Sequence, residues 1–303
     1  MSDLILHHYW ISPYADKIRR IMGFKSLAWT SVEIPMVAPK PDLTALTGGY
    51  RKTPVLQIGA DVYCDTDCIV RALERIAPEP TLFPAGGEAV SVMLGSWQQE
   101  LFWLAVQVAG TSGDVFPEGF VEDRNEMIPG GLDLEKMVAE IPATNDRLRA
   151  KLDLLERGLA NRDYLLGDAP SLADFSLFHP VFALKNLGAA AAVLEPFPAV
   201  RAWAERVEAV GYGDMTAGTA ADALAAARDA EPATATAEDA GDPNGRRPGE
   251  TVSIVHEFFG NDPVVGELVA SDAQEIAVRR SDERTGDVVV HLPREHYVVS
   301  SAG

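Results

Sequence analysis

Three short segments carry hydroxyl, carboxylate and ammonium groups at points where the chain is expected to change element. Tyr9-Trp10-Ile11-Ser12-Pro13 ends one apolar run and opens a helix. Lys52-Thr53-Pro54-Val55 opens a later strand, and Asp65-Thr66 stands between another strand and its helix. A helix start leaves N–H groups free, and these suit an anion. A carboxylate suits an ammonium. Each group also has a structural reading. Ser12 before Pro13 is an ordinary N-cap, Asp65-Thr66 can cap a helix, Lys52 can be a solvated charge, and Tyr9 can pack at a strand end.

The elements around these segments follow from periodicity. Leu4 to Tyr9 is an apolar run suited to a buried strand. Tyr14, Ile18, Ile21 and Met22 recur at helical spacing and face a sheet, and Gly23 ends that helix. Trp29 to Ile34 alternates, so strand, helix and strand form a βαβ unit with parallel strands. Thr53 to Ile58, a Gly59-Ala60-Asp61 turn and Val62 to Cys64 read as a hairpin. A helix from Thr66 to Ile76 stops at Ala77-Pro78. The three chemical segments therefore sit at element ends that one sheet edge can bring together.

Residues 80–87 are rich in Pro and Gly and read as a linker. Helical texture follows, over 89–109, 133–159 with a bend at Pro142, 171–187 and 198–210. Ser171-x-x-Asp174 has the form of a capping box. Residues 212–249 are rich in Ala, Asp, Glu, Thr and Pro, with few large apolar side chains, so a flexible linker is expected, with a short helix near 220–229. From Thr251 onward alternation returns, and four or five antiparallel strands are expected. The expected units are 1–79, a linker 80–87, 88–211, a linker 212–249, and a small β-rich extension 250–303.

Composition excludes several functions. The 303-residue chain carries a formal net charge of −19, which repels phosphate backbones, so no nucleic-acid partner is expected. The two cysteines, Cys64 and Cys68, lack C-x-x-C spacing, so neither a zinc site nor a redox pair is indicated. They read as small core side chains. His7, His8, His256, His291 and His296 show no metal-ligand spacing, and no metal is expected. The N-terminus lacks a basic region followed by an apolar core, and no run approaches about 18 apolar residues. A cytoplasmic protein without a membrane span is the expectation.

Taken in order and spacing, Ser12-Pro13-Tyr14-Ala15-Asp16-Lys17-Ile18-Arg19, Lys52-Thr53-Pro54-Val55-Leu56, Asp65-Thr66, Ser171-Leu172-Ala173-Asp174 and Pro198-Ala199-Val200-Arg201-Ala202-Trp203 resemble the glutathione transferase family over residues 3–210. The resemblance implies an α/β thioredoxin-like domain (β-α-β-α-β-β-α), then an all-α helical bundle, with the β-rich unit outside it. It implies glutathione as co-substrate, a small apolar electrophile as second substrate, a homodimer and a detoxifying transferase activity. Pro54 is then cis, the Val55 backbone pairs with the glutathione backbone, Asp65 and Thr66 hold its γ-glutamyl end, and Lys52 lies near its glycyl end. Thr53 joins this thiol-binding set. Ser12 matches the position that contacts the sulfur, with Tyr9 as the second choice. No cysteine stands there, which argues against disulfide exchange. Tyr14, Trp97, Phe102, Trp103 and Phe116 are candidates for the electrophile pocket, although aromatics at helical spacing are more often core.

Ser12 is sufficient for the chemistry. A free thiol titrates at about 8.5, and lowering that by two units takes roughly 2.7 kcal/mol. A hydrogen bond to a charged group supplies about 1.5–3 kcal/mol, and a helix N-terminus up to about 2. Other activities compatible with the resemblance are a non-catalytic binding protein and a glutathione-dependent peroxidase, isomerase or dehalogenase. Because the β-rich tail lies outside the resemblance, removal of residues 246–303 is expected to leave thiol binding intact.

Overall fold

The computed structural model describes residues 3–84, 87–111, 116–128, 130–259 and 262–302. Its N-terminal half follows the expected order. β1 (Leu4–His8) is fully buried and runs parallel to β2 (Ala28–Glu33), with Ile5 opposite Thr30. The crossover between them is α1 (Pro13–Phe24), capped by the Ser12 hydroxyl, which accepts from the Ala15 amide at 3.2 Å. After α2 (Pro41–Thr47) come β3 (Val55–Ile58) and β4 (Asp61–Cys64), an antiparallel pair joined at Gly59. β3 also pairs antiparallel with β1. α3 (Thr66–Ile76) closes this half, with Ile69, Val70 and Leu73 buried beneath it.

The helical half holds α4 (Gly87–Ser96), α5 (Gln98–Gly110), α6 (Phe120–Met127), α7 (Leu134–Ala139), α8 (Ile141–Leu159), α9 (Leu172–Asn186), a 3-10 turn over Ala190–Leu194, and α10 (Pro198–Ala209). The run expected over 89–109 is broken at Trp97, and the 133–159 run breaks at Glu140 with Pro142 in the first turn of α8. Proline fits that place because its missing N–H has no intrahelical partner there. α9 is buried on nearly every side. Asp174 accepts from the Ser171 amide at 2.9 Å, the Leu165 amide at 2.8 Å and the Trp203 indole at 2.9 Å. The capping box thus also ties α9 to α10 and to the preceding loop.

Residues 212–249 are not a flexible linker. β5 (Asp214–Ala217) adds to the free edge of β2 as a parallel strand, and α11 (Ala220–Arg228) buries Ala223, Leu224 and Ala227. The order here comes from backbone pairing and small side chains, which need little hydrophobic surface. Gly213 shows the requirement: its φ is +73°, and a Cβ there would sit 2.6 Å from the Leu27 carbonyl oxygen. Farther on, the Ala233 amide and Thr234 hydroxyl bond Asp61 at 2.7 and 2.6 Å.

The extension contains five strands, β6 (Thr251–His256), β7 (Val264–Ser271), β8 (Glu275–Asp282), β9 (Gly286–Pro293) and β10 (Tyr297–Ser301). A core of about fifty residues is marginal alone, and the extension leans on the rest of the protein. β9 lies parallel on the outer edge of β4, with Tyr63 opposite His291, so one ten-stranded sheet runs β10-β6-β7-β8-β9-β4-β3-β1-β2-β5. An exposed edge invites pairing with another chain, and β9 covers it. Val55, Val62 and Cys64 share a core with Val278, Val288, Val290 and Leu292. Each such aliphatic side chain contributes about 1.5–3 kcal/mol on burial.

A charged knot pins the same seam. His291, 3% exposed at its side chain, lies between Glu275 (2.8 Å at Nδ1) and Asp61 (3.1 Å at Nε2). Its ring stacks on Tyr63 at 4.2 Å. Burial opposes the His291 charge, but the hydrogen bonds to Asp61 and Glu275 outweigh it and raise its pKa above 6.5. Burial likewise opposes the Glu275 charge, yet His291 and Arg75 bring that carboxyl down to about 2.

Candidate active site

A cavity of about 490 Å³ lies between the sheet half and the helical half. The start of α1, the segment before β3 and the start of α3 all open onto it, as three element ends on one edge of a sheet can. Ser12, Tyr9, Tyr14, Lys52, Thr53, Asp65, Thr66, Phe102, Trp103 and Phe116 line it.

Ser12 is 3% exposed and accepts the Ala15 N–H, which leaves its own proton free to donate into the cavity. The Tyr9 hydroxyl accepts from the Arg124 guanidinium at 3.2 Å. Burial raises the Tyr9 pKa, with Arg124 pulling the other way. Tyr14 packs its ring on Phe102 and His179, with centroids 4.9 and 4.1 Å away. Lys17, one turn beyond Ser12, also lines the cavity, and no motif in the sequence singles it out. It is buried on the cavity wall, and among the described residues no carboxylate lies within 4 Å of its ammonium. Burial lowers its pKa, while Asp67 and Asp65 hold it up.

The opposite corner is built at the start of α3. Asp65 has φ +76° and caps Asp67 at 3.4 Å. A non-glycine residue held in that region costs about 1–3 kcal/mol, a strain that clusters at functional sites. Its Oδ2 accepts from the Tyr297 hydroxyl at 3.1 Å and lies 3.7 Å from the Lys52 ammonium. Burial disfavours the Asp65 charge, but Lys52, the Asp67 amide and Tyr297 hold its carboxyl below the usual range. Thr66 is buried beside it as the first residue of α3. Lys52 therefore stands at the Asp65 corner. Its ammonium also sits among the rings of Tyr50 (5.1 Å), Tyr297 (5.1 Å) and Phe259 (5.7 Å), which favours a cation.

The Thr53–Pro54 peptide bond is cis. Val55 does not meet the cavity. It is fully buried in β3, opposite His7 of β1 and Cys64 of β4, so its backbone is enclosed by neighbours on both sides. Thr53, one residue before the cis proline, is on the cavity wall and carries a buried hydroxyl without a protein partner. It is the better placed of the two for backbone pairing with a ligand.

Apolar side chains also line the cavity, Ile11, Met36, Val106, Phe120, Ile128 and Met137 among them, beside charged ones such as Arg51, Arg71, Glu88 and Arg124. Phe116 stacks on Phe120 at 4.2 Å. Trp97 is absent from it. Standing at the break between α4 and α5, Trp97 packs on the core and lies under the Lys151 ammonium at 5.0 Å. Lys40 lines the cavity near Tyr9; burial and the Arg124 charge bring its pKa down to about 8, with Asp123 opposing. The extension also reaches this wall, through His256, Phe258, Phe259 and His296. No spacing in the chain links those residues to Asp65, so no sequence signal pointed to them.

Cys64 and Cys68 are free and fully buried, and burial raises both thiols well above their ordinary range. Among the described residues, no group of three or more His, Cys, Asp or Glu side chains is placed to hold a metal ion. None of the described helices is long and apolar enough to cross a membrane.

Comparison with known proteins agrees with the fold. Residues 6–81 match the glutathione S-transferase N-terminal domain, and residues 139–206 match the C-terminal domain. A GST-like protein from Pseudomonas syringae is 39% identical, over 99% of this chain and 100% of its own, with a TM-score of 0.79. That likeness therefore includes the C-terminal strands. A glutathione S-transferase III in its apo form (23% identity, 69% of this chain and 92% of that one, TM-score 0.51) shares the fold. So does a beta-etherase from Sphingobium (20%, 69% and 96%, TM-score 0.52). No curated protein matches the sequence. With both domains matched and a relative alike from end to end, the chain belongs to the glutathione S-transferase family.

Proposed function

We propose that this protein is a glutathione transferase that activates the glutathione thiolate for attack on a small apolar electrophile. The observation that carries the reading is the Ser12 hydroxyl, held at the N-terminus of α1 and lining a cavity that also holds apolar side chains. Glutathione lies along the sheet edge. Its γ-glutamyl ammonium meets Asp65, its γ-glutamyl carboxylate meets Thr66 and the first amides of α3, and its backbone pairs with Thr53. Lys52 backs the Asp65 corner, and Lys40 is placed for the glycyl carboxylate. The sulfur sits at Ser12, with Tyr9 as the second donor. Ser12 and the α1 amides favour the anion, and Lys17 adds a positive charge nearby. The thiol proton leaves to solvent. The S–C bond then forms as the electrophile's leaving group departs with its electron pair, or as the pair moves onto an activated double bond.

Ile11, Tyr14, Phe102, Trp103 and Phe116 receive the electrophile. The buried cysteines support conjugation over disulfide exchange. A cytoplasmic homodimer working in detoxification completes the proposal, and light scattering tests the dimer. The proposal also divides the chain into a thiol-binding unit over 1–79 and a helical unit over 88–211.

Ser12→Ala is the deciding variant. The thiol of bound glutathione is expected to ionise one to two pH units higher, with a ten- to hundredfold loss of turnover near pH 7 that recovers at alkaline pH. Loss of the cap also costs about 1 kcal/mol of stability. If bound glutathione ionises at the same pH in both proteins, Ser12 does not touch the sulfur. Binding without turnover of any aryl halide, enone or peroxide would favour a non-catalytic protein.

A further inference from the structure

The Asp65 corner is completed by residues from far outside the two matched domains. Tyr297 is the first residue of β10, and its hydroxyl donates to Asp65 Oδ2 at 3.1 Å while accepting from the Lys52 ammonium at 3.0 Å. β10 is placed by its pairing with β6, in which Tyr297 stands opposite His256. At the end of β6 the His256 ring nitrogen Nδ1 accepts the amides of Phe258 and Phe259, at 3.0 and 3.1 Å. That turn carries Phe259 over Lys52 and stacks its ring on Trp103 of α5, at 6.0 Å and 21°. The extension thus bridges from the thiol corner to the helical wall.

The hydroxyl stands between two opposite charges that lie 3.7 Å apart. By sharing a hydrogen bond with each, it keeps the ammonium from closing onto the carboxylate. The carboxylate keeps lone pairs for an incoming ammonium, and the lysine stays available to a carboxylate. Without the hydroxyl, Lys52 can neutralise Asp65 directly and compete with the ligand's own ammonium.

We propose that the C-terminal extension is a working part of the thiol site, in which Tyr297 is a positioning residue that presents Asp65 and Lys52 as a separated pair and so selects thiols carrying a free α-amino acid end. This rests on the glutathione reading above. The test measures calorimetric affinities of the full-length wild type and Tyr297→Phe for glutathione and for glutaryl-cysteinyl-glycine, which lacks only the α-ammonium. Wild type is expected to prefer glutathione at least tenfold. In Tyr297→Phe glutathione weakens by about tenfold, the analogue hardly changes, and the preference falls towards one. The ratio is read on folded protein alone, so partial unfolding does not imitate it. Equal weakening of both ligands, or no weakening, overturns the inference while the thiol reading stands. A wild type indifferent to glutathione overturns both.

Discussion

Replacing His291 with Gln tests whether the extension is locked to the rest of the sheet by charge. His291 sits on β9, and both of its carboxylate partners are shielded, Asp61 at 4% and Glu275 at 14% side-chain exposure. Gln keeps one hydrogen bond and removes the charge. Glu275 is held at about 2 against an ordinary 4.5, a difference of roughly 3 kcal/mol. Part of it belongs to Arg75, 3.1 Å away. Breaking a buried pair by removing one partner costs about 3–5 kcal/mol. The variant is therefore expected to lose about 3 kcal/mol, or about 6 °C in unfolding midpoint for a chain of this size.

The sign of the pH dependence differs for the two partners. Glu275 is depressed, so its contribution is present above 4.5 and lost as pH falls towards 2. His291 is raised, so its contribution is complete below 6.5 and lost as pH rises through its folded value. The stability difference between wild type and His291→Gln is thus largest between pH 4.5 and 6.5 and shrinks on either side. Other buried histidines act in the opposite sense at acid pH. Burial lowers His7 to about 4 and His8 to about 3, so their contribution holds above 6.5 and fades as pH falls. They are common to both proteins and cancel in the difference. The assay is urea unfolding of both proteins across this range. A difference that is flat with pH, or a loss under about 0.5 kcal/mol, refutes the charged lock.

Two further outcomes are expected. Gly213→Val places a Cβ 2.6 Å from the Leu27 carbonyl oxygen on a backbone with φ +73°, and should cost about 2–4 kcal/mol in chemical unfolding by displacing β5; a variant as stable as wild type would show that β5 is not held on β2. Cys64 and Cys68, both fully buried with raised thiol pKa values, should resist an aromatic disulfide reagent in the native state and react together on unfolding; rapid labelling of the native protein would disprove their burial.

The chain's own sequence determined its local elements and the identities of most site groups. Ser12-Pro13 specifies a helix start, Thr53-Pro54 the strand entry, and Ser171-x-x-Asp174 a cap, because each acts within a few residues of itself. The same locality limits what those patterns determine. Sparse hydrophobicity over 212–249 suggested disorder, yet β5 is ordered by an unpaired edge of β2, a partner nearly two hundred residues away. The resemblance implied a Val55 backbone open to a ligand, but its pairing with both β1 and β4 encloses it. Trp97 shares helical spacing with the pocket aromatics, and a break between α4 and α5 turns it to the core. Tertiary structure alone decided that β9 would extend β4 and that Tyr297 would stand between Lys52 and Asp65. Short-range patterns set which residues face a strand's two sides, whereas the choice of neighbouring strand depends on which edge is free and which apolar faces fit.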